Sequence, residues 1–138
     1  MSRVIRGHAG IGPRSTGAAL VADDHFSARY DLDRIRGVFS RPQHALFGES
    51  YVGRVLVLLG AKGGVATSWM LREMAARGMA PAALLLGTAN PIMAQGAAFA
   101  GLCFMDRFET AITRAIRTGE TVTVDPAAGL VTVHGAGG

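Results

Sequence analysis

A mixed α/β domain, a barrel-like sheet with flanking helices, is predicted by three features of the chain. Strand-like segments stand at both ends. Strand–helix–strand order fills the middle, and a Gly-rich turn joins a buried apolar run to a helical one. The 138 residues suit one domain over 1–138, with an ordered core expected over about 4–134.

Val4–Ile5 opens a short strand. Gly7, Gly10, Gly12 and Gly17, with Pro13, then imply tight turns and exclude a helix. AALVA (18–22) reads as a second strand. Residues 23–50 are polar and irregular, broken by Pro42 and Gly48, and a loop of that length usually carries function or meets a partner. Arg54–Leu59 is a short apolar run, hence a buried strand. Ser68–Arg77 follows as a helix, with Met70, Leu71 and Met74 at helical spacing and Gly78 where a C-cap glycine belongs. Ala82–Leu86 is the next strand, so the order implies a parallel crossover.

Pro91–Ala100 is predicted helical, with Asn90 as N-cap and Pro91 at the first position. Leu102–Met105 is a strand. Phe108–Thr118 is expected as a third helix, its Phe108, Ile112 and Ile116 on one face and Gly119 ending it. Thr121–Val124 and Leu130–His134 alternate as a terminal hairpin, and the closing GAGG is expected to fray.

Composition excludes several classes. Hydrophobic residues make up 49% and charged ones 17%, which rules out a disordered chain. The formal charge of +4 comes from thirteen arginines and one lysine, scattered and not clustered with aromatics. Arg34 and Arg36, with Arg29, form the densest patch, read as a solvated face or an anion or subunit contact ahead of nucleic acid. No membrane span or signal peptide is evident, so a cytoplasmic protein without membrane partners is expected. Cys103 stands alone and cannot by itself hold zinc or an iron–sulfur cluster. His8, His25, His44 and His134 show no metal-ligand spacing, so no metal site is expected on this chain.

The chemistry concentrates in GAKGGVATSWMLREM (60–74). Amides at a Gly-rich strand-to-helix junction form an anion site, and Lys62 adds charge to it. Gly63 and Gly64 either offer their amides to an anion or, as a structural turn, merely let strand and helix pack closely, while Thr67 and Ser68 supply hydroxyls that also suit helix N-caps. Ser27, Arg29, Tyr30 and Asp33 form a second constellation, where an arginine fork fits a carboxylate and a tyrosine donates a hydrogen bond. Read blandly, the same four belong to a solvated loop. His44 is either an acid–base group or a structural histidine. Trp69 and Met70, Met74, Met79 and Met93 fill core or interface rather than bind a cofactor.

Several segments in order resemble the small, swivelling subunit of the aconitase X family: GRVLVLLGAKGG (53–64), GMAPAALLL (78–86), NPIMAQGAAFA (90–100) and TGETVTVD (118–125). FSARYDLDRIRGV (26–38) and QHALFGES (43–50) fit its loop regions, so the resemblance covers about residues 5–135. It implies a swivelling β/β/α domain that pairs with a larger catalytic subunit. It also implies a dehydratase, or hydro-lyase, acting on hydroxylated carboxylate substrates. Any iron–sulfur cluster or metal would then sit on the larger subunit, with no cofactor on this chain.

The family turn is a Gly followed by serines, the first assigned as catalytic base. Here Gly63 keeps the Gly, but Gly64 takes the serine's place, and Ser68 is the first serine after it. The resemblance therefore allows a divergent dehydratase, with Ser68 or Thr67 as candidate catalytic groups, or a binding protein that keeps the fold without the reaction. A phosphohistidine carrier also uses a Gly-Gly turn, but Trp69 stands where its histidine would fall.

Overall fold

The computed structural model describes residues 2–26, 31–61, 65–88 and 91–136, excluding the side chains of 26, 61, 65–68, 91–93, 99 and 136. Strands β1 (Arg3–Arg6), β2 (Ser15–Val21), β6 (Val55–Leu58), β8 (Ala83–Leu86), β9 (Cys103–Asp106), β10 (Glu120–Asp125) and β11 (Leu130–Ala136) form one sheet. Their order is β1-β11-β10-β2-β6-β8-β9. The chain ends supply the antiparallel part, and β2, β6, β8 and β9 run parallel. The expected terminal hairpin and parallel crossover are both present.

Residues 7–11 join the two edges of this sheet by running antiparallel beside β9. Gly7 lies opposite Phe108 and Ile11 opposite Phe104. The Ile11 N–H donates to the Phe104 carbonyl at 2.9 Å, and the Phe104 N–H returns a bond at 2.8 Å. The sheet thereby curls into a barrel. The glycines read as turn formers serve this seam: a Cβ on Gly10 would lie 1.9 Å from the Phe104 carbonyl oxygen. Close backbone approach, which only glycine permits, explains the residue there.

Strand periodicity divides the apolar residues between two cores. Val55, Val57, Ala83, Leu85, Cys103 and Met105 face the barrel interior with Val122, Val124, Val131 and Val133. Leu56, Leu58, Leu84, Leu86 and Phe104 face outward and form the second core. Helices α1 (Val65–Ala76) and α2 (Pro91–Ala100) pack against each other, and Leu71, Met74 and Ala97 belong to that outer core. Among the described residues no helix is long and apolar enough to cross a membrane.

Two helix boundaries differ from expectation. Helix α1 starts at Val65, so Thr67 and Ser68 lie within its first turn and neither is its N-cap. It ends as expected: Gly78 has φ +70°, and the Met79 N–H donates to the Met74 carbonyl, as in a Schellman cap. The third helix, α3, covers only Ile112–Ala115 and not Phe108–Thr118. The sheet claims its expected first turn, because the Glu109 N–H donates to the Arg6 carbonyl and Phe108 bridges Gly7. Ala111 offers no side-chain cap, and Ile116 is already extended. Ile112 and Ile116 are still buried in the barrel, with Phe108 packed against them.

Candidate functional site

The long segment after β2 folds back over the outer core through two small ladders. In one, β3 (His25–Phe26) pairs in parallel with β7 (Gly60–Ala61); in the other, β4 (Leu32–Asp33) pairs with β5 (Val38–Phe39). A Cβ on Gly60 would come within 2.9 Å of the His25 ring, so glycine is what lets β3 lie beside the Gly-rich turn. The Leu59 N–H donates to the Asp24 carbonyl at 2.9 Å and continues this pairing. Residues 27–30 follow Phe26 in the chain, and residues 62–64 follow Ala61. β3 and β7, the strands that precede these two stretches, run parallel.

Ser27, Arg29, Tyr30, Lys62, Gly63 and Gly64 lie outside the described residues. So do the side chains of Thr67 and Ser68, although their backbone belongs to α1. Asp33 and His44 are described. One carboxylate oxygen of Asp33 accepts the Ile35 and Arg36 N–H groups, both at 3.1 Å, and shapes the β4–β5 turn. Asp33 is partly exposed, and its other oxygen makes no described hydrogen bond.

His44 is buried, and both ring nitrogens are engaged. The Leu46 N–H donates to Nδ1 at 3.0 Å, so Nε2 carries the proton and donates to the His25 carbonyl at 2.8 Å. The ring stacks on Phe39 with centroids 4.5 Å apart. Asp24 lies 3.8 Å from Nε2 and accepts the His25 and Ala45 N–H groups. Partial burial pushes the Asp24 carboxyl up, but those two backbone bonds, with the fields of His44 and Arg41, outweigh it and hold it below its usual value. His44 thus clamps the carbonyl of β3, the strand beside the Gly-rich turn.

Several supports carry no sequence motif. Asp31 is buried and paired with Arg41, while its carbonyl accepts the Ser40 N–H at 2.8 Å. Asp24 receives the Ala45 N–H from 21 residues along the chain, too far for any local pattern to mark it. Tyr51 is fully buried, meets the Phe39 ring edge-on, and its hydroxyl makes no hydrogen bond among the described residues. Burial, then the charge of Asp33, raises its phenol to about 12 against an opposing effect of Arg34.

Among the described residues, no group of three His, Cys, Asp or Glu could hold a metal ion. Cys103 is buried in the barrel, where burial pushes its thiol up to about 11. These residues do not fit an iron–sulfur cluster.

The aconitase X swivel domain model matches residues 4–133. The small subunit of phosphomevalonate dehydratase from Methanocella arvoryzae is 39% identical over 127 residues, covering 92% of this chain and 96% of that protein. Its counterpart from Methanothrix thermoacetophila is 35% identical over 121 residues, covering 88% of each. The crystal structure of Thermococcus kodakaraensis aconitase X superposes with a TM-score of 0.87 over 95% of this chain and 98% of that one. At 24% identity it supports the fold alone. The chain belongs to the aconitase X swivel domain family.

Proposed function

We propose that this chain is the small subunit of a heteromeric aconitase X-type dehydratase of the cytoplasm. A larger subunit would complete the active site, and the substrate would be a hydroxylated carboxylate, phosphomevalonate by analogy with the named relatives. The observation that carries this reading is near full-length similarity to proteins named as small subunits, with 92% of this chain matched in one of them.

Dehydration beside a carboxylate requires a base for the α-proton, donors for the developing enolate charge, and help for the departing hydroxyl. In this reading the amides of Gly63 and Gly64, with Lys62, hold the acidic group of the substrate. Arg29, Tyr30, Ser27 and Asp33 complete its binding from the segment that leaves β3, and His44 holds that strand in place. Ser68 or Thr67 takes the proton, since Gly64 has no side chain with which to do so. Any cluster or metal that assists the leaving hydroxyl belongs to the larger subunit.

Co-expression with a larger aconitase X subunit tests the proposal. Dehydratase activity is expected from the complex and from neither chain alone. Ser68→Ala is expected to lower kcat by about a hundredfold, the scale of one general base. Lys62→Ala is expected to raise KM. Failure of the two chains to co-purify would sink the proposal. The second reading, a binding subunit without catalysis, is favoured by Gly64 alone: a stable complex inactive until Gly64→Ser is introduced would establish it.

A further inference from the structure

At the barrel seam, a cavity of about 270 Å³ is lined by Arg6, Gly7, His8, Arg107, Phe108 and Glu109. It forms where β9 ends against the chain leaving β1, and its frame is backbone. The His8 N–H donates to the Arg107 carbonyl at 3.2 Å, and the Glu109 N–H to the Arg6 carbonyl at 2.9 Å. Gly7 admits the Phe108 ring, since a Cβ there would lie 2.8 Å from it. In the sheet β9 lies two strands from β6, roughly 10 Å away.

The charges around the cavity are unevenly engaged. Glu109 turns one carboxylate oxygen to the Arg6 N–H at 3.0 Å. Asp106 is mostly buried and meets only Nε of Arg107, at 3.4 Å. The outer guanidinium nitrogens of Arg107, the guanidinium of Arg6 and the imidazole of His8 make no hydrogen bond among the described residues. Arg107 is half exposed, so its fork is open to a ligand.

The backbone adds an independent observation. Arg107 has φ +55°, and among the described residues it is the one non-glycine in the left-handed region. Glycine would occupy that conformation without steric cost, whereas a long side chain is strained there. Backbone strain of this kind recurs at binding sites, and here it lies beside Arg6 and His8, with Glu109 on the same wall.

We propose that this cavity is an oxyanion site, taking a phosphate or phosphomonoester group, with Arg107 as its principal ligand and Arg6 and His8 beside it. A guanidinium fork matches two oxygens of a tetrahedral anion, and a second guanidinium with an imidazole serves the others. The site stands apart from the subunit reading and is tested on this chain alone.

Amide chemical shifts would be followed by NMR during titration with inorganic phosphate and, separately, with phosphoglycolate. Saturable shifts at Gly7, His8 and Arg107 are expected. Arg107→Gly is the decisive variant, because it removes the fork while relieving the backbone: the folded spectrum and Tm should be kept or improved, with affinity falling at least about tenfold. Arg6→Ala should weaken binding less. Arg34→Ala, which removes the same charge elsewhere, should leave it unchanged. Tighter binding of phosphoglycolate would assign the cavity to a phosphorylated organic acid, and equal binding to free phosphate. Absence of saturable shifts at the seam, binding that survives Arg107→Gly, or equal weakening by Arg34→Ala would overturn the proposal.

Discussion

Inside the barrel, neighbours across the strands are aliphatic or sulfur-bearing: Val55, Val57, Leu85, Met105, Val122 and Val131. Outside it, beneath residues 31–51, the packing uses Phe39, His44 and Tyr51, edged by Asp24 and Asp31. The side chains of the first region pack by shape, without directional bonds among those residues. The second is held by a chain of directional bonds, from Leu46 to His44 to His25 and so to the ladder beside Gly60. Burial tolerates conservative exchange, whereas a directional network fails at any missing member. The barrel thus presents a segment whose position depends on a few polar contacts, and β3, at the start of that segment, pairs with β7.

The largest expected effect breaks the barrel side. Gly10→Ala drives a methyl group into the Phe104 carbonyl, so the seam must open, with a loss of about 3 kcal/mol in urea unfolding. Next, His44→Ala deprives the His25 carbonyl and the Leu46 N–H of their partners and leaves a void beside Phe39. A loss of about 2 kcal/mol is expected. Hydrogen exchange should rise over 24–46 while β10 and β11 stay protected; uniform loss of protection would show that the two regions are one cooperative unit.

A smaller effect sharpens the contrast, because the barrel carries a charged clasp at its rim. Arg3 forks onto both Glu120 oxygens, at 2.9 and 3.2 Å, and the Arg117 N–H adds a third bond. The Arg3 bond, then the Arg117 N–H, holds the Glu120 carboxyl below its usual 4.5 against a desolvation effect that raises it. A depressed carboxyl stabilises the fold above its ordinary value and loses that contribution as pH falls through its folded value. Arg3 is half exposed, so Arg3→Ala should cost only about 0.5–1 kcal/mol at neutral pH. The Tm gap between the two proteins should narrow below about pH 4.5; a gap constant down to about pH 3 would remove Glu120 from the account. The smallest change is Tyr51→Phe. It deletes a buried hydroxyl that bonds nothing among the described residues, so stability should hold or rise by up to about 1 kcal/mol. A marked loss would show that the hydroxyl has a partner in solution.

The same division sets how far the sequence can be read. Alternation across Leu84 and Leu85, or Val131 and Val133, is local, and the central strands and the terminal hairpin follow from it. Pro91 likewise marks the start of α2 where it is found. Phe108–Thr118 misleads because its helical spacing of Phe108, Ile112 and Ile116 is real, yet its first residues bond to β1 more than 100 positions earlier. The seam glycines misread as turns have the same cause, a neighbour remote in sequence. Lys62, Gly63 and Gly64 are legible as a motif, and β3 lies beside β7, the strand that precedes them in the chain. What spacing could not convey is that His44 spends both nitrogens on backbone, because its partners sit on other segments.

One property of the barrel has a practical corollary. The first strand lies against the last, with Arg3 opposite Val133. The two chain ends therefore leave from adjoining lanes of the same sheet. A short peptide bridge could fuse them, and the polypeptide could be reopened at an exposed bend such as Gly53, whose added Cβ would meet nothing. Such a rewired order should reach the same shape, since its closure depends on which lanes touch and not on where translation starts.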